Sequence, residues 1–234
     1  MSQQQKDDLL KLYELYPFHN HPMWRRVLDG TFSNAQVIKA EIQHCIRTRA
    51  GRPLRENAMR TAEKLNENLF GMLVQTYLEE CTHDETGPSH LELIERLVLM
   101  GGASRAEINE AVASPGNSAA IALYRDIAER GAGCHMLGAG VVEHYYSQLS
   151  PAIFRAYTSL YGMSEEQAIT YKLHGTMDQT HAERAFAVLD EVVSLHGWPL
   201  VYSSVRDAFV ATSLHYDGMY QAATGSGEYW DGRK

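Results

Sequence analysis

The chain has 234 residues, with 21 basic and 29 acidic side chains and a formal charge of −8. That length serves one large domain or two small ones, with a core that needs no disulfides; the acidic balance and the lack of a basic patch argue against nucleic acid or a membrane surface as partner. Cys45, Cys81 and Cys134 are odd in number and far apart, which points to reduced thiols. Residues 1–8 lack the apolar core of a signal peptide, and no apolar run approaches the ~20 residues of a membrane span. The expectation is a soluble, cytoplasmic protein with a small-molecule partner.

Every clearly periodic segment has the helical period, and none alternates convincingly as a strand. A first helix is expected over about 5–16, stopped by Pro17, with Pro22 opening the next and Gly30 closing it. Ser33 and Asn34 can cap a helix from Ala35 to about Thr48, which Ala50-Gly51-Arg52-Pro53 should interrupt or kink. Helix is expected again from Leu54 to about Glu80, with a break near Gly71. After the loop Cys81–Pro88 comes a helix from Ser89 to Met100, closed by Gly101-Gly102. Ser104 and Glu107 have capping-box spacing. The remaining helices are expected near 105–114, 118–130, 135–149, 151–161, 164–196 and 199–223. No linker or repeat divides the chain, so the reading is one all-α domain over 1–223, with a Gly-rich, frayed tail over 224–234.

The chemistry concentrates in Lys172–Arg184. At about 100° per residue, His174, Asp178 and His181 fall within roughly 60° of one another on one stripe, flanked by apolar side chains. A buried His/Asp/His face costs several kcal/mol unless its groups are paired or bound to a cation. Hydrogen-bonded core histidines account for that stripe as well as a metal does, unless other helices supply ligands.

They do. Glu79 and Glu80 end one helix, where carboxylates oppose the helix dipole unless a cation compensates, and His90 opens the next. Glu143 follows a run of small and apolar residues from Met136 that should bury it. Bundles build di-iron sites from inward carboxylates and histidines of this kind. Three carboxylates would nearly neutralise two ferrous ions, leaving about +1, whereas one zinc ion wants about four ligands.

These residues resemble a family: the haem-oxygenase-like di-metal oxidases and oxygenases, relatives of pyrroloquinoline-quinone synthase C and the TENA/thiaminase-II proteins. The resemblance covers nearly the whole chain. It is carried by His174-x3-Asp178-x2-His181, by Glu79-Glu80 with a glycine-bearing loop and His90-x-x-Leu, and by Pro53-Leu54-Arg55-Glu56. It implies a haem-oxygenase-like helical bundle and the ligand set Glu79, His90, Glu143, His174, Asp178 and His181. Counting on from Pro53 favours Glu79 over Glu80, and aligning Ser147-Gln148-Leu149 offers Tyr146 in place of Glu143. Where a self-sacrificing branch keeps the tyrosine it converts to p-aminobenzoate, this chain has Trp24.

The resemblance further implies a biosynthetic oxidoreductase with two iron ions, or manganese, and O2 as co-substrate. It would act on an amino acid or a related compound by N-oxygenation, desaturation or C–C cleavage. Arg155, Lys172, Arg184 and Arg206 are candidates for holding a substrate carboxylate. The alternative is a metal-free thiaminase-like hydrolase with Cys134 as nucleophile, or a cofactorless oxidase. A homodimer is consistent with the fold class by analogy alone.

Overall fold

Sequence periodicity, caps and prolines translate into eleven α-helices among the residues described by the computed structural model, 3–83 and 87–232. They are α1 (Gln3–Lys11), α2 (Pro22–Leu28), α3 (Asn34–Ala62), α4 (Glu67–Cys81), α5 (His90–Met100), α6 (Arg105–Glu110), α7 (Pro115–Arg130), α8 (Ala132–Ser159), α9 (Ile169–Ala187), α10 (Leu189–His196) and α11 (Trp198–Thr224). The all-α expectation holds. Among the described residues, no helix is long and apolar enough to cross a membrane.

Local signals set several boundaries. Reciprocal capping boxes form at Ser33 with Gln36, Ser89 with Glu92 and Ser104 with Glu107, each satisfying two otherwise orphaned donors. Pro22 stands at the start of α2, and the His21 imidazole caps that helix by accepting from the Met23 N–H at 3.1 Å.

Prolines and glycines mislead elsewhere. The helix expected to break at Ala50–Pro53 runs through, because Arg49 and Pro53 lie on the exposed side of α3, where a carbonyl deprived of its donor stays open to water. The break comes at 63–66 rather than near Gly71, with Asn66 capping α4 through the Leu69 N–H at 2.8 Å. Pro151 likewise sits inside an unbroken α8. Its ring rests on α9, where a Cβ at Gly175 would lie 3.0 Å from Pro151 Cγ. The segment expected as one helix over 164–196 divides at Val188 into α9 and α10, and the first helix tightens into a 3-10 turn at Leu12–Leu15. The loop Cys81–Pro88 lies partly outside the described residues.

The long helices enclose one apolar core, with Trp24, Tyr157, Tyr171 and Phe209 among its buried side chains. The α8–α9 pair is the most extensive. Its closeness depends on Gly140, whose added Cβ would fall 2.3 Å from Ala185 Cβ. Helices α7 and α11 meet backbone against backbone, since a Cβ on Gly218 would lie 2.4 Å from the Asn117 backbone nitrogen. The stretch after α11 packs back rather than fraying. The Trp230 N–H donates to Asp217 Oδ1 at 2.8 Å, and the same oxygen accepts from His21 Nε2 at 3.1 Å.

Candidate metal centre

One face of α9 carries His174, Asp178 and His181 inward, and all three are buried. Helix α4 brings Glu80 to them from its last turn, α5 brings His90 at its first residue, and α8 brings Glu143. Ligand-capable atoms of Glu80, His90 and His174 lie within 4.8 Å of one another, and so do those of Glu80, Asp178 and His181. Glu80 belongs to both groups. Its Oε2 accepts from His90 Nδ1 at 3.0 Å, while its Oε1 lies 3.8 Å from His174 Nε2 and 3.9 Å from His181 Nδ1. Glu143 Oε2 stands 3.5 Å from the same His181 Nδ1.

The two acids that end α4 take different places. The reading that favoured Glu79 as ligand differs from this geometry, which turns Glu80 inward and Glu79 toward the rim. Glu79 is gripped by Arg184 through two hydrogen bonds of 2.5 and 2.7 Å, and it accepts from His181 Nε2 at 2.9 Å. That contact orients His181: with Nε2 donating to Glu79, Nδ1 faces the site and offers a lone pair there once a cation displaces its proton. The backbone performs the same task for His174: its Nδ1 donates to the Thr170 carbonyl at 2.6 Å, freeing Nε2. Of the two alternatives on α8, Glu143 reaches the cluster. Tyr146 lines the adjoining cavity, its ring 6.5 Å from that of His174.

Three atoms of the cluster are fully buried with no hydrogen-bond partner: Asp178 Oδ2, His181 Nδ1 and His90 Nε2. A buried polar atom left unpaired costs about 1–3 kcal/mol, and more if charged. Three within one cluster fit a cation-binding site, and their chemistry, imidazole nitrogen plus carboxylate oxygen, suits iron or manganese. The electrostatics agree. Burial raises the Asp178 carboxyl well above its usual range, and Glu143 and Glu80 add to the shift. Burial alone would lower His181, but Glu143 and Glu80 outweigh it and lift the imidazolium to about 9. Burial drives His90 down to about 3, with His174 adding to the effect. Burial opposes ionisation of Glu80 too, yet Arg55, His90 and His174 hold its carboxyl well below the ordinary value. Arg55 Nη2 lies 3.3 Å from Glu80 and 3.9 Å from Glu143.

The cluster opens on a cavity of about 110 Å³. Its wall includes Trp24, Tyr146, Tyr216 and Met219, together with Arg47 of α3. The four cations expected to hold a substrate carboxylate lie elsewhere: Arg184 serves Glu79, Lys172 pairs with Glu165, Arg206 pairs with Asp207, and Arg155 is exposed. None of them lines the cavity. Sequence reading missed Arg47, although His44, Arg47, Gly51, Leu54 and Arg55 recur at helical spacing and all face the cavity. Cys134 does not line it either. The thiol is fully buried, and burial pushes its pKa up, the opposite of what a nucleophilic cysteine needs.

Known structures place this architecture. A CADD-like protein of unknown function from Nostoc punctiforme superposes with a TM-score of 0.74 at 15% identity, covering 94% of this chain and 97% of that one. A domain of unknown function with a heme oxygenase-like fold from Shewanella denitrificans gives 0.74 at 16% identity, over 97% and 95% of the two chains. A TenA homolog from Pseudomonas syringae gives 0.69 at 12% identity, over 94% and 92%. At these identities the likeness is one of fold. Among curated proteins, none matches the chain. Residues 49–201, well over half the chain, match a haem-oxygenase-like family described as iron-containing redox enzyme. The chain therefore belongs to that family of iron-containing redox enzymes.

Proposed function

We propose that this protein is a non-haem di-iron oxidase or oxygenase that uses O2 to oxidise a small molecule, an amino acid or a compound derived from one. N-oxygenation, desaturation and C–C cleavage are the reaction types in view. The observation that carries the reading is the position of Glu80. One buried carboxylate stands between two groups of ligand atoms, the first completed by His90 and His174 and the second by Asp178 and His181, with Glu143 beside His181. Two irons would be held by these six residues, with Glu80 between them. Bound ferrous ions supply the electrons that reduce O2.

The rest of the task falls to the chain itself. Glu79 and the Thr170 carbonyl orient the two α9 histidines so that His181 Nδ1 and His174 Nε2 face inward, where a bound cation would take the place of any proton on them. Arg55 favours the ionised form of Glu80, and His181, with a smaller part from Arg55, does the same for Glu143. The aromatic wall of Trp24, Tyr146 and Tyr216 limits water around the reacting molecule. A metal-free hydrolase working through Cys134 lacks support, because that thiol does not reach the cavity.

The test is metal analysis of protein made in iron-supplemented medium, followed by O2 consumption with panels of free amino acids and fatty acids. The reading expects close to two irons per chain; manganese in their place keeps the site and changes the metal. A protein that binds no iron, manganese or zinc sinks the proposal.

A further inference from the structure

Among the charged side chains of the cavity, Arg55 is paired with Glu80 and Glu143. Arg47 is not: no carboxylate of the described residues lies within ion-pair distance of it. A guanidinium stays charged at any physiological pH, and burying one without a counter-charge is costly. The fold nevertheless builds a mount for it. Arg47 Nη2 donates to Tyr124 OH at 3.2 Å, and the guanidinium carbon lies 4.8 Å from the centre of that ring. Thr212 Oγ1 donates to the Ala208 carbonyl at 2.9 Å, so it accepts from Tyr124 OH at 2.7 Å. The tyrosine hydroxyl oxygen is thereby left to accept from Arg47. This directed chain fixes the guanidinium while using one of its five N–H bonds. Arg47 Nε is fully buried and has no partner, and neither has the buried hydroxyl of Thr48 beside it. Both residues line the cavity that also reaches Glu80, His90, His174 and Asp178.

We propose that Arg47, with Thr48 and Tyr124, is the anion-recognition end of the cavity, and that it holds the carboxylate of the substrate. A fixed guanidinium fork with a free Nε edge matches the two oxygens of a carboxylate. The wall of the cavity carries Trp24, Ile121, Tyr216 and Met219 beside the imidazoles of His44 and His215, so the bound molecule carries a largely apolar body behind its carboxylate. The direction in which that body points, toward the metal ligands, rests on the function proposed above; the carboxylate contact does not.

Benzoate and hexanoate, with benzamide and hexanamide as uncharged isosteres, are the probes for titration calorimetry. They are run on the iron-loaded protein under nitrogen and again after chelation. The acids should bind in both states and about tenfold or more tighter than the amides, as expected for a hydrogen-bonded charged pair. Arg47→Met should abolish that preference, Arg47→Lys should restore part of it, and Tyr124→Phe or Thr48→Val should each weaken acid binding by a smaller factor. Those last two variants carry the test if Arg47→Met does not fold, as read by circular dichroism. Acid binding that is equal in wild type and Arg47→Met, that is lost on chelation, or that inorganic phosphate displaces as well as an acid does, overturns the assignment. So does a lack of binding at millimolar concentration. A protein that takes up no iron, manganese or zinc yet binds benzoate through Arg47 would remove the di-iron reading and leave this one standing; an iron-loaded protein with Arg47-independent binding would do the reverse.

Discussion

Glu79 Oε2 lies 2.9 Å from His181 Nε2, and Arg184 clamps the same carboxylate from the other side. The consequence is a division of labour between two adjacent acids: Glu80 faces the cluster, and Glu79 orients the histidine that faces it. Orienting carboxylates typically contribute about 10–100-fold to metal affinity. Glu79→Ala and Arg184→Met should therefore weaken iron binding by roughly that range, and Glu80→Ala should weaken it more. Metal titrations of the three variants check the order; Glu79→Ala losing more iron than Glu80→Ala would reverse the assignment.

Asp178 offers a prediction of opposite signs. Its carboxyl is buried and its Oδ2 unpartnered, so in metal-free protein it is a cost of about 1–3 kcal/mol. Asp178→Leu should leave the metal-free protein at least as stable as wild type. Added ferrous iron should raise the wild-type melting temperature by mass action and leave that of the variant unchanged. Thermal melts with and without iron read both effects, and an equal iron-induced rise in the two proteins would remove Asp178 from the site.

A pH effect follows from His135, which lines the cavity, with Arg55 and Glu143 nearby. Burial lowers its imidazole from the ordinary 6.5 to about 4, and the Arg55 charge adds to the shift. Above pH 6.5 the residue is neutral folded and unfolded and contributes nothing to the pH dependence. Below 6.5 the unfolded chain takes up the proton and the native state does not, so stability falls until about pH 4. His135→Asn should make the denaturation midpoint fall less steeply across that window, with His90 still contributing, and an unchanged slope would show that His135 takes no part.

Two glycines give a matched pair. Gly218→Ala would press a Cβ to 2.4 Å from the Asn117 backbone nitrogen, where α7 and α11 cross. Backbone cannot yield as a side chain does, so the loss should reach about 1–3 kcal/mol or more. Gly71→Ala meets nothing within 4 Å and lies in the middle of α4, so it should gain roughly 0.5–1 kcal/mol from helix propensity alone. Urea denaturation of both variants is the check; the same sign for both would contradict the packing described for α7 and α11.

How much of this was legible beforehand depended on the kind of information. The helical period exposed the fold class, and the four- and three-residue spacings of His174, Asp178 and His181 exposed the inward stripe of α9. The choice between Glu79 and Glu80 was not legible, because neighbouring helix positions differ by about 100° and only the packing of α4 against α5 and α9 decides which points in. Pro53 and Pro151 read as breaks, since a sequence shows the missing N–H and not whether the freed carbonyl meets water or a facing glycine. Arg47 went unread because a basic residue on a helix is ordinarily solvated. Its signal was the set of polar residues Glu41, His44, Arg47, Thr48 and Arg55 on the face of α3 turned away from exposed Arg49 and Pro53.

The order of the chain adds one more consequence. His181, the last of the six ligand candidates, precedes every residue of α11, yet α11 supplies Thr212, His215, Tyr216 and Met219 to the wall of the cavity. During synthesis from the N-terminus the complete donor set emerges from the ribosome before the wall that encloses it. Any cation taken up by the cluster on the nascent protein would therefore enter before α11 closes the compartment.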